Sequence, residues 1–287
     1  MICDFVNGKT KVLGILGNPV SHTFSPFIHN TISKKINKNY IYLPFPVEKG
    51  SIGDAVKGAH ALNIQGLNVT VPYKKEVLPY LLSIEKTAEL TGAVNTLKFS
   101  ENGYKGYNTD TIGIMNTLKN AEVDIYGKNV VILGAGGAAC AVLTALCESG
   151  AKNVYIVNRT ASTSSALAER ISPHYKTNII CLNYPEINSA ENVDSLIQTT
   201  TLGFGNQRAL SPVEDKSFLK RIPFVFDLIY SPWETKFLHI AKECGCKTVN
   251  GFDMLVYQAF ASYEIWTGET FEDSFIRDVK NELIELL

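Results

Sequence analysis

The stretch from Asn129 to Glu148 constrains the fold more than any other part of the chain. Asn129–Leu133 (Asn-Val-Val-Ile-Leu) is apolar almost throughout and of strand length, Gly134-Ala135-Gly136-Gly137 follows, and an uncharged run continues from Ala138 to Cys147. An apolar run without alternation belongs to a strand covered on both faces, as in a parallel sheet. Parallel neighbours require crossover connections, usually helices. The glycines suit such a crossover. The first permits a tight turn, the second lets a ligand approach the backbone, and Ala139 at the third position lets helix and strand pack closely. The opening of the helix then offers free N–H groups and a positive dipole end, a ready anion site. Val130 to Cys147 is uncharged and long enough to cross a bilayer. Three glycines interrupt it, however, so a strand, a turn and a buried helix are expected instead.

Further strands are expected at Asn153 to Val157 and near Asn178 to Leu182, Ser195 to Thr199 and Phe224 to Leu228, separated by helical stretches. Repeated βαβ units imply a Rossmann-type, doubly wound sheet with helices on both faces. The residues after the second strand decide which dinucleotide it would hold. An acid there binds a ribose 2′-hydroxyl. Here stand Asn158, Arg159 and Thr160, an amide, a guanidinium and a hydroxyl, which suit a 2′-phosphate. The expected cofactor is therefore NADP, held by Gly134, Ala135, Gly136, Gly137 and Ala138 at the turn and by Asn158, Arg159 and Thr160.

The N-terminal part reads as a second α/β body. Lys11 to Leu16 is a strand ending at Gly17-Asn18-Pro19, and Ser25-Pro26 opens a helix with serine as N-cap and proline first inside. Tyr40 to Val47, with Pro44 and Pro46, reads as an edge strand. A further strand lies within Ala61 to Val71, and the chain from Lys74 onward is expected to be helical. Ala93 to Leu97 and Gly103 to Gly106 flank a turn and suggest a hairpin; Thr109-Asp110 then caps a helix. Met254 to Trp266 is an apolar helix, and an amphipathic one ends the chain. The expected division is residues 1–112 plus 251–287 for one domain, with a mixed, mainly parallel sheet, and 113–250 for the dinucleotide domain.

The 287 residues are 45% hydrophobic and 19% charged, with a net charge of −1. No basic stripe calls for nucleic acid or an anionic membrane. Cys3, Cys140, Cys147, Cys181, Cys244 and Cys246 are scattered, and Cys244-Gly245-Cys246 lacks the second pair of a zinc site. All six read as reduced thiols of a cytoplasmic protein. The start lacks a cationic segment followed by an apolar run, so no signal peptide is expected. His22, His29, His60, His174 and His239 form no pair at metal-ligand spacing, and no metal is expected.

Four polar segments remain: Ser21-His22-Thr23-Phe24-Ser25-Pro26, Asn68-Val69-Thr70-Val71-Pro72-Tyr73-Lys74, Gly92-Ala93-Val94-Asn95-Thr96 and Tyr107-Asn108-Thr109-Asp110. Singly, each is an ordinary cap, turn or surface lysine. Taken together, in this order, they resemble the shikimate dehydrogenase family. The resemblance extends through the glycine turn, Asn158-Arg159-Thr160 and the closing Asn250 to Gln258, so it covers nearly the whole chain.

The resemblance implies an NADP-linked dehydrogenase of aromatic amino acid (chorismate) biosynthesis, acting on shikimate and 3-dehydroshikimate, as monomer or homodimer. It implies Lys74 and Asp110 as the catalytic pair. Thr23 and Ser25 are implied for the substrate carboxylate. Thr70, Lys74, Asn95, Asp110, Tyr230 and Gln258 are implied as further substrate contacts, and Gly251 as part of the cofactor set. Threonine at position 23 replaces the family's usual serine; it keeps the hydroxyl and adds a methyl. The chemistry suits the set. Reducing a ketone needs a hydride from the nicotinamide, charge stabilisation at the oxygen, and a proton. Two alternatives stand beside this reading: an NAD-linked quinate/shikimate dehydrogenase, against which Arg159 argues, and an inactive nucleotide sensor, which has no need of a proton-transfer pair.

Overall fold

The computed structural model describes residues 6–285; Cys3 lies outside them. Two compact units emerge, Met1–Gly113 with Val256–Leu287, and Ile114–Leu255.

The first unit begins with β1 (Lys11–Gly17), whose buried second half places it at the centre of a sheet. Helix α1 (Ser25–Lys35) buries Ile28 and Ile32, one turn apart, and β2 (Tyr40–Pro46) follows. Next come α2 (Ile52–Ala61), β3 (Gly66–Val69), β4 (Ser83–Ile84), α3 (Lys86–Thr91), β5 (Thr96–Ser100) and β6 (Gly103–Tyr107). The sheet order is β2-β1-β3-β5-β6-β4. β1 pairs in parallel with β2 and β3, and β4 with β6, whereas β5 runs antiparallel to both neighbours. The sheet is thus mixed and mainly parallel, and the prolines of β2 sit on its edge, where missing donors interrupt no ladder.

Two local expectations fail. Ser25 is the first helical residue rather than the cap; the cap position is Phe24, without a side-chain bond. The chain after Lys74 forms turns and a short 3₁₀ segment at Leu78–Tyr80, not an α-helix. The Lys74 carbonyl accepts from Val94 N–H at 2.8 Å, so it is spent on the neighbouring segment instead of on a following helical turn.

Helix α4 (Asp110–Asn120) leaves the first unit. The second unit then runs β7 (Asn129–Leu133), α5 (Gly137–Glu148), β8 (Asn153–Val157), α6 (Ala161–Ile171), β9 (Asn178–Leu182), β10 (Ser195–Gln198), α7 (Lys216–Leu219), β11 (Phe224–Asp227), α8 (Lys236–Glu243) and β12 (Lys247–Val249). All six strands are parallel, in the order β12-β11-β10-β7-β8-β9. The chain steps outward from β7 through β8 and β9, then returns to β7's other side with β10. That reversal makes the carboxyl end of β7 the switch point where such sheets bind ligands. Helix α5 is buried from Ala139 to Cys147, which accounts for its lack of charge. No helix among the described residues is long and apolar enough to cross a membrane. Cys140, Cys147, Cys181, Cys244 and Cys246 make no disulfide. Helices α9 (Phe252–Thr267) and α10 (Asp273–Ile284) complete the chain.

Candidate active site

In the first unit Lys74 meets Asp110, brought together by three hydrogen-bonded supports. The Val94 bond fixes the backbone of Lys74. Asp110 opens α4, its N–H donating to Asn108 Oδ1 at 3.0 Å. There the helix dipole favours a carboxylate. Lys74 Nζ donates to Asp110 Oδ2 at 2.6 Å, and Asn95 Nδ2 donates to Oδ1 at 2.8 Å. Both carboxylate oxygens are therefore occupied. The lysine side chain keeps 28% of its surface and the aspartate 10%. The pair is thus largely withdrawn from water, with the ammonium the more open member. An ammonium has three N–H donors; one goes to Asp110, leaving others for an incoming oxygen.

Asn95 is itself held. Its Oδ1 accepts from Thr109 N–H at 2.8 Å and from Thr96 Oγ1 at 3.0 Å. Around it lie groups to which the sequence reading gave no role: Asn68, Thr96 and Thr109, which stand inside the polar segments, and Ser262, which lies outside them. Asn68 Nδ2 lies 3.1 Å from the Asn95 carbonyl and 3.0 Å from Ser262 Oγ. Ser262 Oγ lies 2.8 Å from Thr96 Oγ1 and 3.1 Å from Thr109 Oγ1. Ser262 carried one legible signal, a hydroxyl in the largely apolar α9, where it is fully buried.

Thr23 Oγ1 donates to Ser25 Oγ at 3.0 Å, so the two hydroxyls lie together just ahead of and at the start of α1. Thr70 follows β3, its N–H bonded to the Leu16 carbonyl at 2.9 Å. Gln258 lies on α9, half-buried, one turn before Ser262, whose hydroxyl donates to its carbonyl at 2.9 Å. Tyr230 belongs to the second unit, where burial raises its phenol pKa.

The second unit carries the glycine turn. Gly134 has φ +108°, and a Cβ there would stand 2.7 Å from Thr199 Oγ1, so glycine is required twice over. At Gly136 and Gly137 the space a Cβ would fill is open. The first turn of α5 has no acid, and its cap position makes no side-chain bond, leaving the N–H groups for a ligand. Ala135 and Ala138 flank this opening, both half-buried. After β8, Asn158 Nδ2 braces the turn by donating to the Thr160 carbonyl at 2.9 Å. Arg159 and Thr160 are exposed, and Thr160 caps α6 without using its hydroxyl. An open anion cradle at a switch point, with a guanidinium at the end of the adjacent strand, fits a phosphorylated dinucleotide. A Cβ at Gly251 would collide with the Leu228 carbonyl, and the Gly251 N–H bonds the Ile229 carbonyl at 3.1 Å. Its smallness therefore serves the close passage past the end of β11.

The fold of the second unit and the ammonium–carboxylate pair of the first define the class, an α/β protein of the dinucleotide-dependent dehydrogenase kind. Comparison with known proteins narrows it. Residues 15–97 match the shikimate dehydrogenase substrate binding domain, 117–216 the shikimate / quinate 5-dehydrogenase model, and 251–278 the shikimate 5'-dehydrogenase C-terminal domain. A shikimate dehydrogenase (NADP(+)) of Caldanaerobacter subterraneus is 42% identical, covering 94% of this chain and 96% of that one. A Listeria monocytogenes shikimate 5-dehydrogenase solved with shikimate and NAD superposes with a TM-score of 0.89 at 30% identity, covering 96% and 97% of the two chains. A shikimate dehydrogenase solved with NADP+ gives 0.88 at 38% identity, covering 98% and 96%. The chain belongs to the shikimate dehydrogenase family.

Proposed function

We propose that the protein is a cytoplasmic, NADP-dependent shikimate dehydrogenase, catalysing the reversible reduction of 3-dehydroshikimate to shikimate in aromatic amino acid biosynthesis. The observation that carries this reading is the 2.6 Å contact between Lys74 Nζ and Asp110 Oδ2, in a chain whose relatives are shikimate dehydrogenases. In this reading residues 1–112 and 251–287 bind the substrate and residues 113–250 bind the dinucleotide.

NADPH, when bound, supplies the hydride. Lys74 directs a remaining N–H at the substrate carbonyl oxygen, stabilises the negative charge that develops there and delivers the proton. Asp110 holds the ammonium in place and accepts from a ring hydroxyl, while Asn95 fixes the carboxylate's orientation through Oδ1. Thr23 and Ser25 donate to the substrate carboxylate; Thr70, Gln258 and Tyr230 contribute further polar contacts. Gly134 to Ala138 present backbone N–H groups to the pyrophosphate. Arg159, with Asn158 and Thr160, meets the 2′-phosphate, and Gly251 keeps the backbone close beside β11.

The assay offers shikimate or quinate with NADP+ or NAD+ and follows the absorbance of the reduced cofactor. Shikimate with NADP+ is expected to be fastest. Quinate with NAD+ being fastest overturns the substrate and cofactor assignment, and cofactor binding without turnover overturns the enzyme.

A further inference from the structure

Helix α9 comes close to the first sheet because Gly66 of β3 makes room for it. A Cβ at Gly66 would stand 2.5 Å from the Trp266 indole, and that indole N–H donates to the Leu97 carbonyl of β5 at 2.9 Å. The Tyr263 hydroxyl lies 3.0 Å from Ser33 Oγ on α1, a second anchor for the helix. Ser262, next to Tyr263, is thereby carried among side chains of β3, β5 and the start of α4. Its Oγ lies 3.0 Å from Asn68 Nδ2, 2.8 Å from Thr96 Oγ1 and 3.1 Å from Thr109 Oγ1. Asn68, Asn95, Thr96, Thr109 and Ser262 are all buried, none more than 6% exposed, so bulk water is a poor substitute for any of these contacts.

The protons of this cluster have few places to go. Ser262 donates its own to the Gln258 carbonyl at 2.9 Å, so toward the cluster it is an acceptor. Asn68 turns its NH2 inward, because its Oδ1 accepts from the Tyr42 hydroxyl at 2.7 Å. Those two protons also have the Asn95 carbonyl at 3.1 Å and Thr96 Oγ1 at 3.2 Å, so Asn68 does not depend on the serine. Thr96 and Thr109 bring one hydroxyl proton each, and Asn95 Oδ1 has two lone pairs. The Thr109 N–H occupies one of them at 2.8 Å. The other accepts one threonine hydroxyl, Thr96 at 3.0 Å or Thr109 at 3.2 Å, and the remaining hydroxyl is left to Ser262 Oγ. With Oδ1 filled in this way, the Asn95 NH2 faces Asp110 Oδ1 at 2.8 Å and Thr109 Oγ1 at 3.0 Å.

We infer that Ser262 is a positioning residue: by accepting one threonine hydroxyl it fixes the Asn95 carboxamide with its NH2 toward Asp110, and through Asp110 it fixes the Lys74 ammonium. The inference rests on the roles proposed above for Asn95, Asp110 and Lys74. Without the serine oxygen, the two threonine hydroxyls compete for Asn95 Oδ1 or bond each other across 3.3 Å. An Asn95 side chain turned over would set its oxygen against the Asp110 carboxylate, two acceptors facing each other. In a buried network the loss of one link is felt beyond its own contact. The ammonium then spreads over more directions, and the loss falls on the chemical step, which depends on orientation.

The test is a double-mutant cycle of Ser262→Ala and Asn95→Ala, read on shikimate oxidation with NADP+. Alanine suits a helix interior, and Ser262→Ala is expected to lower kcat about fivefold with KM for NADP+ unchanged. In the Asn95→Ala background the same substitution should change kcat by less than about twofold, because its route to Asp110 is already cut. Multiplicative effects, or an unchanged kcat in Ser262→Ala, overturn the positioning role while leaving the proposed reaction standing. A wild-type protein that fails to turn over shikimate overturns the functional reading instead. In that case, or where a variant of the cycle does not fold, solvent exchange of the Asn95 carboxamide protons decides, measured by NMR without substrate in wild type and Ser262→Ala. Exchange should be at least about threefold faster in Ser262→Ala, or in Ser262→Cys if the alanine variant does not fold. Equal exchange overturns the inference.

Discussion

Asp110 opens a helix in the first unit and Asp227 closes a strand in the second; their relative exposures are 7% and 0%. Asp110 is met by a cation, Lys74, and by the Asn95 amide. Asp227 is met by neutral donors, the Thr235 hydroxyl at 2.7 Å and the Ile229 N–H at 3.0 Å, and forms no ion pair among the described residues. Burial pushes its carboxyl up to about 7, those two bonds only partly opposing it. The same side chain thus does two jobs. In the first unit charge is placed opposite charge, with the ammonium still partly exposed. In the second, the carboxyl pins the segment from Leu228 to Thr235 that carries Tyr230, and Thr235 in turn caps α8. A buried aspartate marks a candidate reaction centre here only where an ammonium faces it.

Removing that ammonium is the strongest way to break the comparison. Lys74→Ala should lower turnover of shikimate about a thousandfold, the range typical of a lost proton donor. Steady-state rates alongside an NADPH titration check this, and affinity for NADPH should hold within about twofold if the lost interaction belongs to the transition state. A mutant with near-normal turnover removes the distinction between the two aspartates.

The second aspartate answers to pH. Its folded pKa, about 7, lies above the ordinary 3.8. The folded state therefore holds the proton more tightly than the unfolded chain between those values. The associated stability is complete below about pH 3.8, is lost as pH rises toward 7, and changes little beyond. The full swing is on the order of 4 kcal/mol. Urea unfolding of wild type and Asp227→Asn at pH 5 and pH 8 tests it. The wild type should lose more stability between the two than the variant does; parallel profiles would show that Asp227 ionises without penalty.

The difference between the units also explains what could be read from the sequence. The second unit was legible almost strand by strand, because buried parallel strands are continuous apolar runs and the glycine turn is local. In the first unit, Lys74, Asn95 and Asp110 were legible as motif residues, and Asn68, Thr96 and Thr109 stood in the same segments, but the way these converge was not. Asn68 and Ser262 meet across 194 positions, and no local periodicity announces that convergence. The expected helix after Lys74 failed for a related reason. Its residues admit a helix, but the carbonyl that would continue it is claimed by Val94, a partner that only tertiary structure supplies.

Arg159 sharpens the contrast from the other side. It is an exposed cation at the end of β8 that forms no ion pair among the described residues, whereas Lys74 is already paired. If it awaits a 2′-phosphate, Arg159→Ala should weaken NADP+ binding about tenfold, near 1.4 kcal/mol, and leave NAD+ binding unaltered. Equal losses for both dinucleotides would assign Arg159 to general attraction rather than to the phosphate.

The smallest expected effect on the fold, and the cleanest separation of folding from binding, belongs to Gly136. Its backbone, at φ −82° and ψ −165°, is one any residue adopts, and a Cβ there meets nothing within 4 Å. Gly136→Ala should therefore change unfolding free energy by less than about 0.5 kcal/mol. Gly136 is nevertheless the cap of α5, where the proposed pyrophosphate comes close to the backbone and an added methyl holds it off. NADPH affinity should fall, though less than in Arg159→Ala, while the thermal midpoint stays put. Loss of stability would mean that the glycine serves the turn, as Gly134 does. Unchanged affinity would mean that the open space above α5 is not where the phosphates lie. The Lys74–Asn95–Asp110 cluster of the first unit offers no counterpart to this experiment. Its side chains are bonded to one another through Asp110, so a substitution at any of them disturbs what holds the others.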